Sequence, residues 1–224
     1  MVFSKVHCIF EQSGTFKKAF EELGYNATDY DIEKTENTDV VTDLFKQIFL
    51  ASQEKKSEVF DNINPDDLVL AFFPCTYFSD QSQLLSRGDS YGQKKWSTEK
   101  KLKYSIDLMN KRSEFYTYLC SLCLIAIKKG FKLVIENPYG KVNFLKHFFP
   151  IKPEIIIYNR KKLGDGYKKP TQFFFINCKP AFNLQNEYVE NKKQKQIVED
   201  SRGINRSIIS PDFAKNFIKT FIIE

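Results

Sequence analysis

The sequence predicts an α/β fold, a doubly wound and mostly parallel sheet of the Rossmann-like kind with an antiparallel pair of strands at one edge. Short apolar runs alternate with amphipathic segments as far as residue 137, which is the pattern of a parallel sheet. Two further apolar runs then follow each other without a helix between them, as in an antiparallel pair. The chain has 224 residues, 42% of them hydrophobic and 28% charged, which predicts a single domain over 1–224.

The first half of the chain predicts four strands and two helices. The predicted strands are residues 6–10, 26–32, 39–41 and 67–73. An amphipathic helix follows the first strand and ends at Gly24, a good helix stop. A second helix begins after Asp43, where Leu44, Phe45 and Ile48 have helical spacing.

The second half predicts a long polar segment at 80–100 and then a helix from about residue 100 to Gly130. Three more strands are predicted, at 132–137, 154–158 and 172–176. The last two have a basic, glycine-containing connection and form the antiparallel pair. A final helix runs from Asp212 to about Phe221 and is capped by Ser210, with Pro211 in its first turn.

Two reactive side chains follow apolar strands directly. Cys75 follows Pro74, directly after the strand at 67–73, and Glu136 lies at the carboxyl end of the strand at 132–137. Groups at the carboxyl ends of parallel strands converge on one crevice of an open α/β sheet. A thiolate there suits covalent attack on an electrophilic ring, assisted by a carboxyl that donates a proton, and the amides of the next turn are expected to lower the pKa of the thiol. The competing interpretation is a buried structural cysteine and a strand-end acid satisfied by local amides.

The first strand-to-helix turn has the features of a ligand-binding turn. Residues 10–16 read Phe-Glu-Gln-Ser-Gly-Thr-Phe, with small residues where the strand meets a helix N-terminus. Asp31 ends the second strand, where it suits a ribose diol, and Asp43 follows the third, where it could accept from an adenine amino group. Together these positions predict a site for an adenosine-containing cofactor.

Charge and cysteine usage limit the class of protein. The net charge of +6 fits a polyanionic partner without requiring one. Five cysteines without a disulfide-like framework, no membrane-length apolar run and no signal peptide predict a cytoplasmic protein with no membrane association and no metal site. The basic residues cluster at 94–95, 100–103, 160–162, 168–169 and 192–195.

These residues resemble the C5-cytosine DNA methyltransferases, particularly small bacteriophage and prophage members, over most of the chain. Pro74-Cys75 with Phe78-Ser79 is similar to the nucleophile motif, and Glu136-Asn137 to the catalytic Glu-Asn motif. Lys169 and Thr171 lie where the family has a basic pair before a strand. The cofactor-binding positions of the resemblance are Phe10, Gln12, Gly14, Thr15, Asp31, Ile32, Asp43, Pro74 and Ser207.

The resemblance implies the methyltransferase type of Rossmann-like fold, S-adenosyl-L-methionine as cofactor and DNA as substrate. Cys75 attacks C6 of a cytosine that has left the stack, Glu136 assists at N3, and C5 takes the methyl group. The segment 80–100 closes over the base as a lid. Lys169 and Thr171 are implied to contact the base and the thiol.

The chain departs from the family pattern in several places. Gln12 replaces a glycine, Lys169 and Thr171 replace two arginines, and Ser207 replaces an asparagine. Only about 35 residues separate Thr171 from Arg206, so a short insert at 178–206 takes the place of a target-recognition domain. This implies weak sequence selectivity, a separate specificity partner, or another cytosine-bearing substrate such as RNA or a nucleotide.

Two rival interpretations remain. Asn137-Pro138-Tyr139 is similar to the Asn-Pro-Pro-Tyr motif of exocyclic-amine (N4/N6) methyltransferases, although the second proline is missing. Such an enzyme would not need Cys75. Alternatively, the chain is a non-catalytic methyltransferase-like protein that binds nucleic acid, for which Gln12 is the main support.

Overall fold

A computed structural model describes residues 1–88, 90–183 and 209–223 and confirms the predicted α/β class. Its strands are β1 (Val6–Ile9), β2 (Ala27–Asp31), β3 (Val40–Val41), β4 (Leu68–Ala71), β5 (Lys132–Pro138), β6 (Ile155–Ile157) and β7 (Thr171–Ile176). Its helices are α1 (Thr15–Glu22), α2 (Leu44–Ser52), α3 (Asp80–Ser86), α4 (Thr98–Lys129), α5 (Phe144–Phe148) and α6 (Pro211–Phe217), and α6 continues as a π-helical turn, Ile218–Ile222.

Within the described residues the strands form one seven-stranded sheet in the order β3-β2-β1-β4-β5-β7-β6. The pairs β1–β2, β2–β3, β1–β4 and β4–β5 are parallel. β7 runs antiparallel to both β5 and β6, so the predicted antiparallel pair is present at the edge. The chain builds outward from β1 in one direction and then from β4 in the other, which places the switch point of the topology between these two strands.

Helices cover both faces of the sheet, because the strands are apolar on both sides. On β4, Val69 and Ala71 face the layer that contains α2 and α4. Leu68 and Leu70 face the opposite layer, which contains α1 and α6. The central strands are therefore fixed by two separate apolar layers, and their carboxyl ends are held at one edge of the sheet.

The segment 80–100 is more regular than predicted. Residues 80–86 form α3, whose first turn is capped by Ser79, since its hydroxyl accepts a hydrogen bond from the Ser82 amide. Arg112 of α4 is buried and donates from Nε to the Tyr77 carbonyl and from Nη2 to the Ser86 hydroxyl, both at 2.8 Å. Through these hydrogen bonds Arg112 attaches the segment to α4. No local sequence pattern predicts this contact between distant residues.

The ends of the helices follow local chemistry. Gly24 and Gly130 have left-handed backbone conformations with φ of +87° and +82°, which explains why α1 and α4 end beside them. Ser210 caps α6 as predicted, with its hydroxyl accepting from the Phe213 amide. No helix in the described ranges is long and apolar enough to cross a bilayer. Most of the predicted insert at 178–206 lies outside the described residues.

Candidate active-site cleft

A cleft of about 670 Å³ opens at the carboxyl ends of β1, β2, β4 and β5. Its volume is that of a site for a small molecule, and it lies where α/β sheets bind ligands. Nine of the predicted site residues line it, and these are Phe10, Gln12, Asp31, Ile32, Asp43, Pro74, Cys75, Glu136 and Lys169. The fold therefore brings together residues that are far apart in the sequence.

Four predicted site residues are not in this group. Gly14, Thr15 and Thr171 are absent from the described lining of the cleft, and Ser207 lies outside the described residues. Gly14 has φ of +63°, and a Cβ atom there would come within 2.5 Å of the Asn37 Cβ. The glycine is thus required by the close approach of the loop after β2.

Thr15 and Thr171 have local roles. The Thr15 hydroxyl lies 2.9 Å from that of Ser13, beside a separate cavity of about 160 Å³ between α1 and α6. Thr171 is buried at the start of β7, where its hydroxyl donates to the Lys169 carbonyl at 3.1 Å. The predicted contact of Thr171 with a base and the thiol is therefore not supported by its position.

The turn after β1 is shaped by aromatic packing. Phe10 has φ of +61°, an unusual conformation for a residue with a side chain. Its ring packs against Phe45 and Phe73 with centroid distances of 5.2 and 5.4 Å. These contacts hold the strained residue in place and direct the turn into the cleft.

Glu11, which the sequence analysis did not select, is a buried acid in the same turn. Its carboxylate accepts from the amides of Phe16 and Lys17 at the start of α1, at 2.6 and 3.2 Å. Burial raises its pKa to about 7, against the lowering effect of these amides. Like Asp31, Glu11 lies at the end of a predicted strand. This position is the sequence signal that could have identified it as a site residue.

Gln12 makes a contact across the mouth of the cleft. Its Nε2 donates to a carboxylate oxygen of Glu33, which follows β2, and both residues line the cleft. A glycine at this position would leave that space open. The presence of Gln12 instead of glycine therefore fills space at the mouth of the cleft with a side chain.

The wall formed by β2 and α2 combines acids with an exposed apolar side chain. Asp31 is buried and its Oδ1 accepts from the Glu33 amide at 2.9 Å. Ile32 is 65% exposed although it lines the cleft. Asp43 caps α2 by accepting from the Lys46 amide at 3.1 Å, so this predicted adenine contact also has a structural role.

Cys75 lies at the start of a tight turn on the opposite wall. Its carbonyl accepts from the amides of Phe78 and Ser79 at 3.0 and 3.1 Å, which fixes the residue after β4. Burial raises the pKa of its thiol, the negative charge of Glu136 raises it further, and Lys169 opposes the shift. The predicted lowering of this pKa is therefore wrong for the unliganded protein, because burial outweighs the amides of the turn.

Glu136 is buried beside Cys75 at the end of β5. Burial raises its pKa, while Lys169 and Arg160 oppose that shift. Its Oε1 is buried with no hydrogen-bond partner among the described residues. A buried carboxyl with an unused oxygen and a raised pKa suits proton donation to a ligand.

The neighbouring Asn137 does not line the cleft. Its side-chain amide donates to the Phe73 carbonyl at 3.0 Å, which ties β5 to the end of β4. Its role is to position the Cys75 turn against the Glu136 strand end. This arrangement does not support the exocyclic-amine interpretation, which needs the asparagine at the substrate.

Lys169 is carried into the cleft by the connection between β6 and β7. A buried pair, Arg160 and Asp165, organises this connection, and the Arg160 amide also donates to the Lys168 carbonyl at 3.1 Å. The Arg160 guanidinium lies over the Phe213 ring at 4.7 Å. Arg160 belongs to the basic cluster at 160–162, and its burial depends on Asp165 and on the packing of Phe213 from α6.

Asp29 is a further buried acid, close to Glu11 in the turn after β1. It is fully buried on β2, and neither carboxyl oxygen has a hydrogen-bond partner among the described residues. Burial raises its pKa to about 8, and the charges of Glu11, Asp31 and Asp39 add to the shift. Asp29 is consequently protonated at neutral pH in the folded protein.

No protein-family model matches the chain, and no curated protein matches it either. The function must therefore be inferred from the residues that meet in the cleft.

Proposed function

We propose that the protein transfers a methyl group from S-adenosyl-L-methionine to C5 of cytosine in DNA. The observation that carries this proposal is the meeting of Cys75, Glu136 and Lys169 on one wall of a cleft. Asp31 and Ile32 lie on another wall of the same cleft. A nucleophile and an acid beside a candidate nucleoside site are the groups that the resemblance to C5-cytosine methyltransferases requires.

The cofactor would bind on the β1–β2 side of the cleft. Asp31 has the position for a ribose diol, and the exposed Ile32 offers an apolar surface for adenine that solvent would otherwise contact. Asp43 would accept from the adenine amino group. When bound, S-adenosylmethionine supplies the electrophilic methyl group that cytosine C5 takes.

The β4–β5 side would activate the cytosine ring. Burial raises the pKa of Glu136 and so favours the protonated carboxyl, which can donate to N3 while the Cys75 sulfur forms a bond to C6. Cys75 must first lose its proton, and the nearby positive charge of Lys169 favours the thiolate. After C5 has been methylated, loss of the C5 proton to a base lets the C6–S bond break and returns the thiolate.

The test is transfer of tritiated methyl groups from S-adenosylmethionine to unmethylated DNA, followed by nucleoside analysis. We expect 5-methylcytosine with the wild type and none with Cys75→Ser. Cys120→Ser is the matched control, because Cys120 lies on α4 and outside the described lining of the cleft, and this variant should keep full activity. Equal activity of the Cys75→Ser variant would overturn the chemistry.

A second candidate is non-catalytic binding of nucleic acid by a methyltransferase-like fold. The contact between Gln12 and Glu33 favours it, since both side chains occupy the mouth of the proposed cofactor cleft. Titration calorimetry with S-adenosylmethionine separates the candidates. Saturable binding supports the enzyme, whereas absent binding together with retained DNA binding supports the second candidate.

A further inference from the structure

The positive charge of the protein is concentrated next to the cleft. Residues 139–169 contain eight lysines and arginines but only two acids, a surplus of six, which equals the net charge of the whole chain, +6. The rest of the sequence is therefore neutral overall. This span begins directly after Pro138 and ends at Lys169, and both of these residues line the cleft.

Most of the basic side chains in this span are available to a partner. Lys141, Lys146, Lys152, Lys162 and Lys168 are exposed, and within the described residues none of them forms an ion pair. Lysines elsewhere do pair with acids, namely Lys17, Lys103, Lys111, Lys128, Lys129 and Lys215. The one arginine of the span, Arg160, is buried against Asp165 and serves the fold.

Aromatic side chains lie among these lysines. Tyr158 is 64% exposed, and its ring meets that of Tyr139 edge to face at 5.6 Å. The Lys146 ammonium lies over the other tyrosine, Tyr139, at 5.4 Å from the ring centre. Three residues from separate segments thus form one exposed group of rings and charge.

Backbone contacts connect this group to the wall of the cleft that contains Lys169. The Tyr139 amide donates to the Pro170 carbonyl at 2.9 Å, directly after Lys169. The Arg160 amide donates to the Lys168 carbonyl at 3.1 Å, which folds the β6–β7 connection back on itself. The aromatic group, Lys168 and the cleft edge therefore form one continuous surface.

We propose that this surface, defined by Tyr139, Lys146, Tyr158 and Lys168 and called here the basic aromatic face, binds the nucleic-acid strand next to the target nucleotide. Lysines would contact phosphates, and the exposed Tyr158 ring would stack on a base. An acidic protein partner would form ion pairs with the lysines, but its binding would not require an exposed aromatic ring beside a cation. The inference rests on the proposed function for its choice of substrate class.

The experiment measures the anisotropy of a fluorescein-labelled, mixed-sequence oligonucleotide, single-stranded and as a duplex, between about 50 and 200 mM salt. The first variant is Lys146→Ala/Lys168→Ala. Each lost phosphate contact should lower the salt slope for a single strand by about 0.7, so the double variant should lower it by about 1.4. The control, Lys128→Ala/Lys129→Ala, removes the same charge at the other end of β5 and should bind like the wild type.

The second variant pair isolates stacking. Tyr158→Ala should weaken single-strand binding at least fivefold, and Tyr158→Phe should keep the affinity because the ring is retained. Lys146, Lys168 and Tyr158 are exposed, so the melting temperatures of their variants should match that of the wild type. Wild-type affinity in both the lysine double variant and Tyr158→Ala would overturn the proposal. Displacement of the oligonucleotide by polyglutamate at equal charge would overturn the choice of nucleic acid.

Failure of this inference is distinguishable from failure of the proposed function. If the wild type methylates DNA but the variants of the basic aromatic face bind the oligonucleotide as tightly as the wild type, the role of this face is refuted and the proposed function is not. Reduced binding by those variants, with no methylation by the wild type, would support the face and refute the enzyme.

Discussion

Replacing Asp29 by asparagine should stabilise the protein at neutral pH and leave its stability almost unchanged at pH 4. Asp29 is fully buried and its carboxyl oxygens have no partner among the described residues. The folded protein therefore keeps this carboxyl protonated, whereas the unfolded chain ionises it. Asparagine has nearly the shape of the protonated acid. Because it does not ionise in the unfolded chain, its folding carries no free-energy cost of taking up a proton.

The size of the effect follows from the pKa. It rises from 3.8 to about 8 on folding, so the folded state binds more protons between these values and wild-type stability falls as pH rises through that range. At pH 7, which is about 3 pH units above the unfolded pKa of 3.8, taking up this proton on folding costs about 4 kcal/mol. The gain from Asp29→Asn should approach that value at pH 7 and level off above pH 8.

The assay is urea unfolding followed by circular dichroism at several pH values between about 4 and 8.5. Asp107→Asn is the control, because Asp107 is an exposed acid on α4 paired with Lys111, and its change should stay within about 0.5 kcal/mol at every pH. A gain from Asp29→Asn that is the same at pH 4 and pH 8, or a loss of stability at pH 7, would refute the reasoning.

Three further predictions concern the cleft and the β6–β7 connection next to it. Glu136→Gln removes a charge that raises the Cys75 pKa, so alkylation of this thiol should begin at lower pH. Peptide mass spectrometry follows the alkylation, and an unchanged pH profile would disprove the electrostatic effect of Glu136 on Cys75. Arg160→Met leaves Asp165 buried without its partner and should cost about 3–5 kcal/mol in urea unfolding, and adding Asp165→Asn should recover part of it, whereas no loss would contradict a buried ion pair. Gln12→Ala frees the mouth of the cleft and should strengthen S-adenosylmethionine binding about fivefold by calorimetry, with unchanged affinity counting against the obstruction.

The positions of Cys75 and Glu136 could be predicted because each follows an apolar strand directly. Burial on both faces makes such strands easy to recognise, and parallel strands end at the same edge of the sheet. The order of strands and helices then places both groups in one crevice. That is why the meeting of Cys75 and Glu136 in the cleft follows from sequence, while the pKa values of these groups do not.

The features that could not be predicted depend on contacts between distant segments. Asn37 occupies the space beside Gly14, and Arg112 fastens the polar segment that contains α3. Asp29 and Arg160 belong to residue types that are usually exposed, so their burial becomes visible only when the layers of helices are packed. Local patterns carry no information about these long-range contacts.

The most direct test of the central claim is to detect the bond between Cys75 and cytosine. An oligonucleotide containing 5-fluorocytosine, incubated with the protein and S-adenosylmethionine, should be trapped, because fluorine cannot leave C5 as a proton does. The account predicts a covalent complex whose cross-linked peptide contains Cys75, and no complex with Cys75→Ser. Methylation of ordinary DNA without any such adduct at Cys75 would contradict the account.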